Sequence, residues 1–167
     1  MRRYIGAALL LAWGSLVSDA GAVNPPGAPD DHFLCYKTKT TKNTTKFTAE
    51  VGISLIDSFE NLSFDAIKPV RLCSPADKNG EGVIDDETHL QVYKLRPVAG
   101  SPKHVRQTNI KVVNQFGTIR VDTIKAHHLM VPVAQDAVAF PPAPPFASHN
   151  VDHYKCYKVK VTTGTPG

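Results

Sequence analysis

HFLCYK at residues 32–37 returns as HLQVYK at 89–94 and again as HYKCYK at 153–158. Sliding the chain against itself by 57 residues, without a gap, puts His32, Tyr36 and Lys37 on His89, Tyr93 and Lys94. The match runs on: Ile53, Phe59, Asp65, Ile67, Lys68, Leu72 and Pro75 fall on Ile110, Phe116, Asp122, Ile124, Lys125, Leu129 and Pro132. A fixed period of this kind marks a duplicated structural unit. The third copy of the phrase, Asp152–Lys158, is followed by only a few residues, so a third unit is expected to be begun and not completed.

The local pattern is β. In KFTAEVGISLID, Phe47, Ala49, Val51, Ile53 and Leu55 alternate with the other residues at the period of a half-buried strand. In the repeated phrase one face carries Phe33 and Cys35, then Leu90 and Val92, then Tyr154 and Cys156, and is expected to look inward. The opposite face carries the recurring His and Tyr. Pro and Gly punctuate the chain often, and no stretch after the N-terminus keeps a helical period. These features predict an all-β fold. A duplicated unit of about 57 residues would form a sandwich or two small packed sheets, with an incomplete third unit.

The N-terminus reads as an export signal. Arg2 and Arg3 precede the apolar run IGAALLLAWGSLV, and Ala20-Gly21-Ala22 supplies the small residues that signal peptidase accepts. Cleavage is expected after Ala22; the competing reading, an uncleaved anchor, needs about 20 apolar residues. The resulting division is signal 1–22, a proline-rich leader 23–30, unit one 31–87, unit two 88–137, a proline-rich linker 138–151 and the start of unit three 152–167. Net charge is +4 with the lysines scattered, which is not the concentrated basic footprint of a nucleic-acid binder. No later run is long enough to cross a bilayer. A secreted protein follows, located in the periplasm, at the cell surface or outside the cell.

The cysteines follow the repeat. At the same offset Cys35 meets Val92 and Cys73 meets Met130, so the second unit lacks both together. Joint loss marks partners, and export permits a bridge, so a Cys35–Cys73 disulfide is expected, with a Cys73–Cys156 bridge as the alternative. Cys156 is then unpaired, which leaves open a free thiol, a dimer through Cys156, or a truncated relative of a longer repeat protein.

The phrases DHFLCYK, KPVRLCSPADKNGE, HLQVYK and NQFG resemble an uncharacterised family of secreted bacterial proteins built from tandem units. The resemblance spans about residues 31–160. It implies His-x-x-Cys-Tyr-Lys strands, a Leu-Cys-x-Pro segment running into Asp-Lys-Asn-Gly-Glu, and no established activity. In that pattern the second unit also tends to carry a cysteine pair; Val92 and Met130 depart from it.

Candidate sites are few. DKNGEGVIDDET at 77–88 spaces Asp77, Asn79, Glu81 and Asp85 as a calcium loop does, with Gly82 at the turn. Its last position is Thr88 instead of a bidentate Glu, and strands flank it where helices would be required. A plain acidic connection is the competing reading. His127-His128 would place two rings on opposite strand faces, a poor start for a zinc or copper site. Asp31-His32 and Asp152-His153 could supply acid and base, yet no nucleophile setting accompanies them. The expectation is therefore a non-catalytic module with no cofactor unless calcium binds. Tyr36, Tyr93 and Tyr157 form its candidate surface for an unknown protein or glycan partner. The alternatives are a calcium-dependent module and a small hydrolase using an Asp-His pair.

Overall fold

A computed structural model of the chain describes residues 31–144 and 151–164. The expected signal, the leader and part of the proline-rich linker lie outside the described residues. Seven strands and no helix are present among them: β1 (His32–Lys37), β2 (Glu50–Ile56), β3 (Asn61–Ala76), β4 (His89–Pro97), β5 (Ile110–Asn114), β6 (Gly117–Val133) and β7 (Tyr154–Val161).

All pairings are antiparallel and join the strands into one sheet. One sheet thus replaces the expected sandwich or pair of packed sheets. The reason is the length of β3 and β6, whose 16 and 17 residues exceed any strand the alternation suggested. Each long strand takes two short partners end to end along one edge: β1 and β2 on β3, β4 and β5 on β6. The other edge of β3 pairs with β4, and that of β6 with β7.

The registers repeat as the sequence does. Cys35 faces Cys73 as Val92 faces Met130, and Ile53 faces Phe64 as Ile110 faces Val121. Across the other edges, Asp65 faces Arg96 as Asp122 faces Lys160, and Cys73 faces Leu90 as Met130 faces Tyr154. The irregularities coincide too. Register slips between Ala66 and Lys68 and between Pro69 and Arg71 recur between Thr123 and Lys125 and between Ala126 and His128. Bulges are also where a strand tolerates Pro69, which has no N–H to give a ladder.

One recurring side chain explains part of this. Asp65 accepts the Gly52 N–H at 3.1 Å and pairs with Arg96 at 3.0 Å. Asp122 accepts the Asn109 N–H at 3.0 Å, with Lys160 at 3.7 Å. Gly52 and Asn109 both sit at positive φ, 72° and 59°, so each carboxylate holds a left-handed residue, at the register slip inside β2 in one case and just before β5 in the other.

The sheet buries apolar residues on both faces. Phe64, Leu95, Ala126 and Leu129 form one cluster; Cys73, Leu90, Val92 and Val151 form another. Leu129 and Met130 are neighbours in an extended strand, so they point to opposite faces, and they belong to different clusters. Two-sided burial also corrects the expected inward face of β7. Tyr154 is 37% exposed, whereas Lys155 and Tyr157 turn inward toward the first cluster. On β4 the expectation holds, with Leu90 and Val92 buried.

Candidate functional site

The densest polar chemistry lies where the β2–β3 hairpin meets β7. The hairpin is closed by Asp57-Ser58-Phe59-Glu60. Asp57 Oδ1 accepts the backbone N–H of Phe59 and of Glu60, both at 2.9 Å, an Asx turn that fixes the carboxylate. The Glu60 side chain turns inward and is 7% exposed. Its Oε2 lies 2.5 Å from Nδ1 of His104, which the β4–β5 connection delivers. His104 Nε2 lies 2.7 Å from the hydroxyl of Thr123 on β6, and that hydroxyl accepts the Gln107 N–H at 2.9 Å.

Strand β7 completes the cluster. The Tyr157 hydroxyl donates to Asp57 Oδ2 at 2.7 Å and to Glu60 Oε1 at 3.1 Å. Lys155 Nζ lies 3.0 Å from Glu60 Oε1 and 3.3 Å from Asp57 Oδ2, and only 5% of its side chain is exposed. Neither ion pair is angled as a hydrogen bond, so the ammonium is buried without one. Aromatic rings wall it in, with the Phe64 centroid at 5.0 Å and that of Tyr157 at 5.4 Å. Phe59 stands edge-on to Tyr157 at 5.5 Å.

The titrations follow from this geometry. Burial works to raise the Glu60 carboxyl, but His104, Lys155 and Tyr157 together hold its pKa below the ordinary value. For Asp57 burial is likewise outweighed by the Tyr157 hydroxyl, the two turn N–H groups and the Lys155 charge. Tyr157 moves the other way: burial and the two carboxylates it donates to push its phenol far above the usual value. The carboxylate–imidazole–hydroxyl order of Glu60, His104 and Thr123 resembles an activated nucleophile. Thr123 is only 2% exposed, however, so its hydroxyl has no route to a substrate.

Beside this cluster a hollow of about 410 Å³ has an apolar floor of Leu62, Phe64, Leu95 and Ala126 and a rim bearing Lys94, Arg96, His104 and Lys125. A second hollow, of about 450 Å³, gathers Lys37, Lys39, Lys46 and Lys68 around Phe47. Folding thus brings together lysines that look scattered in the sequence.

Cys35 and Cys73 are bridged, directly opposite one another on β1 and β3. Cys156 is free and half-buried, its thiol pushed up by that burial. In the 77–88 loop three of the expected calcium ligands are engaged by backbone N–H groups or by basic side chains. Asp77 accepts the Gly82 N–H, Asp85 accepts those of Glu87 and Thr88, and Glu81 pairs with Lys78 and His32. Asp31 caps the loop from outside through Ile84 and Asp85 N–H. Among the described residues no three His, Cys, Asp or Glu side chains converge as a metal set.

The three tyrosines differ in what surrounds them. Tyr36 is open, Tyr93 packs on Phe47 at 5.3 Å, and Tyr157 is spent in the carboxylate cluster. Asp152 and His153 are exposed. The reading of His127 and His128 on opposite faces is corrected: the β6 bulge leaves the Nδ1 atoms 3.1 Å apart. Burial first, then nearby positive side chains, lowers both their pKa values.

Compared with known proteins, the chain matches no family model, no curated protein and no solved structure. The site therefore has to be read from its own chemistry. Sequence reasoning missed Asp57, Glu60, His104 and Lys155. Their signal was departure from the repeat: Glu60 falls opposite Gly117, and Lys155 stands where the earlier phrases have Leu34 and Gln91.

Proposed function

We propose that this chain is an exported, non-catalytic β-repeat module, a duplicated unit with the first strand of a third, acting as a structural or binding element at the cell envelope or outside the cell. The observation that carries this reading is the recurrence of strand register, bulges and aspartate clamps at one fixed spacing. Residues that recur in this way are occupied in holding the sheet. The Cys35–Cys73 bridge accords with an oxidising compartment. No described helix is long and apolar enough to cross a membrane.

The binding face we favour is the Lys37–Lys39–Lys46–Lys68 hollow, whose charge suits an acidic protein or glycan. The test expresses the whole chain in a secreting host and passes the exported material over an immobilised acidic polysaccharide. Export with cleavage after Ala22, and salt-sensitive retention lost in Lys37→Ala/Lys68→Ala, is the expected result. Retention of the uncleaved chain inside the cell would reject export. Elution unchanged by the double substitution would reject the face.

A further inference from the structure

We propose that Lys155 and Asp57 close an intramolecular amide cross-link between β7 and the β2–β3 hairpin, with Glu60 relaying the proton. Four features of the cluster point to bond formation beyond an ion pair. The amine and the acid are in contact, Lys155 Nζ being 3.3 Å from Asp57 Oδ2. A second carboxylate, Glu60, touches both partners' surroundings, 3.0 Å from Nζ and 3.1 Å from the Tyr157 hydroxyl. Rings of Phe64 and Tyr157 exclude water from a side chain that is 5% exposed. Finally, Asp57 Oδ1 is already held by two backbone N–H groups at 2.9 Å, the donor pair a tetrahedral oxyanion requires.

The step balances without a co-reactant. The Lys155 ammonium passes one proton by way of Glu60 and the bridging Tyr157 hydroxyl to Asp57 Oδ2, and the neutral amine attacks Cγ of the resulting carboxylic acid. Negative charge develops on Oδ1 against the Phe59 and Glu60 N–H groups. The new N–C bond forms as the Cγ–Oδ2 bond breaks. Oδ2, already carrying the relayed proton, takes a second one from nitrogen and leaves as water. Ammonium and carboxylate become a neutral amide and one water, and Glu60 ends ionised as it began. The amide removes the buried Lys155 charge together with that of the partly exposed Asp57, and an ion pair offsets the desolvation of a buried charge only in part. It also ties down β7, which pairs with β6 along one edge only.

Intact mass spectrometry of the exported chain, followed by denaturing tryptic mapping, decides the matter. The expected mass is lower than the sequence mass by one water, beyond the two hydrogens lost at Cys35–Cys73. Peptide 47–71 should be joined to peptide 126–158, with no cleavage after Lys155. Lys155→Arg and Asp57→Ala should each restore the water. Glu60→Gln should restore it in most molecules, and its disulfide and far-ultraviolet spectrum report whether the variant folds. A wild-type chain of full mass, cleaved after Lys155 and labelled there by an amine reagent after denaturation, would overturn the proposal.

Discussion

The turns after β2 and β5 share a backbone pattern and differ in what their side chains do. Asp57 accepts the Phe59 N–H and Asn114 accepts the Phe116 N–H, each at 2.9 Å. Phe59 then packs on Tyr157, whereas Phe116 is 84% exposed. Glu60 sits in a buried cluster; Gly117, its counterpart, carries no side chain and has φ 126°. The same contrast separates Cys35–Cys73 from Val92 facing Met130. The two regions share register and turn geometry and differ in how that geometry is reinforced. The region around β1–β3 is locked by a disulfide and a buried charge cluster, the matching region around β4–β6 by packing.

The largest expected difference is the disulfide. Removing it as Cys35→Ala/Cys73→Ala should cost about 4 kcal/mol on the chain-entropy model for a loop of this length, read from denaturant midpoints. The reverse change sharpens the comparison. Because Val92 and Met130 occupy the matching register, Val92→Cys/Met130→Cys should form a second bridge, visible in a non-reducing peptide map. Failure to form it would mean that shared register does not extend to side-chain geometry.

Next comes Glu60→Gln, which takes the carboxylate from buried His104 and leaves Lys155 with Asp57 alone. A loss of about 3 kcal/mol is expected for breaking a buried charge cluster from one side. Asn114→Ala, in the matching turn, removes one exposed cap and should cost about 1 kcal/mol or less. Equal effects at the two turns would dissolve the distinction drawn between them.

Acid should expose the same asymmetry. Glu60, Asp65 and Asp122 are all held below ordinary carboxylate values in the folded chain. Below those values the unfolded chain binds more protons, so stability is complete above the ordinary carboxylate pKa of about 4 and falls as pH drops through it. Melting temperature measured from pH 7 to pH 3 should therefore decline in the wild type. The decline should be shallower in Glu60→Gln, while Asn114→Ala should keep the wild-type slope.

These pairs also explain what could be read in the sequence. Strict alternation around Ile53 and Leu55, and the identities from His32 to Pro75, revealed strands and period because both are patterns of residue type along the chain and need no knowledge of tertiary contacts. The Cys35–Cys73 bridge was legible for a different reason: its absence from the second unit was itself a pattern. The single sheet was not legible, because β3 and β6 pass through bulges at Ile67, Val70, Ile124 and His127 that break the alternation a reader follows. Lys155 looked like a surface lysine in a polar phrase, and only the return of β7 over the first hairpin buries it. Asp65 and Asp122 stood out as an identity, yet their role needed the positive φ of Gly52 and Asn109, which spacing does not encode.

The smallest expected effect tests the comparison most directly, since Phe59 and Phe116 are the same residue at the same place in the two turns. Phe59 lies 5.5 Å from Tyr157 in an edge-on arrangement, and its ring shields the hairpin end of the carboxylate cluster. An aromatic pair of this geometry contributes about 1 kcal/mol beyond its buried area. Phe59→Leu keeps most of the apolar surface and removes the ring, so it should cost about 1 kcal/mol. Phe116→Leu should change stability by less than about 0.5 kcal/mol, as expected for a residue with no packed partner. A double-mutant cycle with Tyr157→Leu assigns the difference. Coupling should appear for Phe59 and be absent for Phe116. If Phe116 proves as costly as Phe59, its exposed ring is covered in solution, and the second unit is locked by a contact outside this chain's own fold.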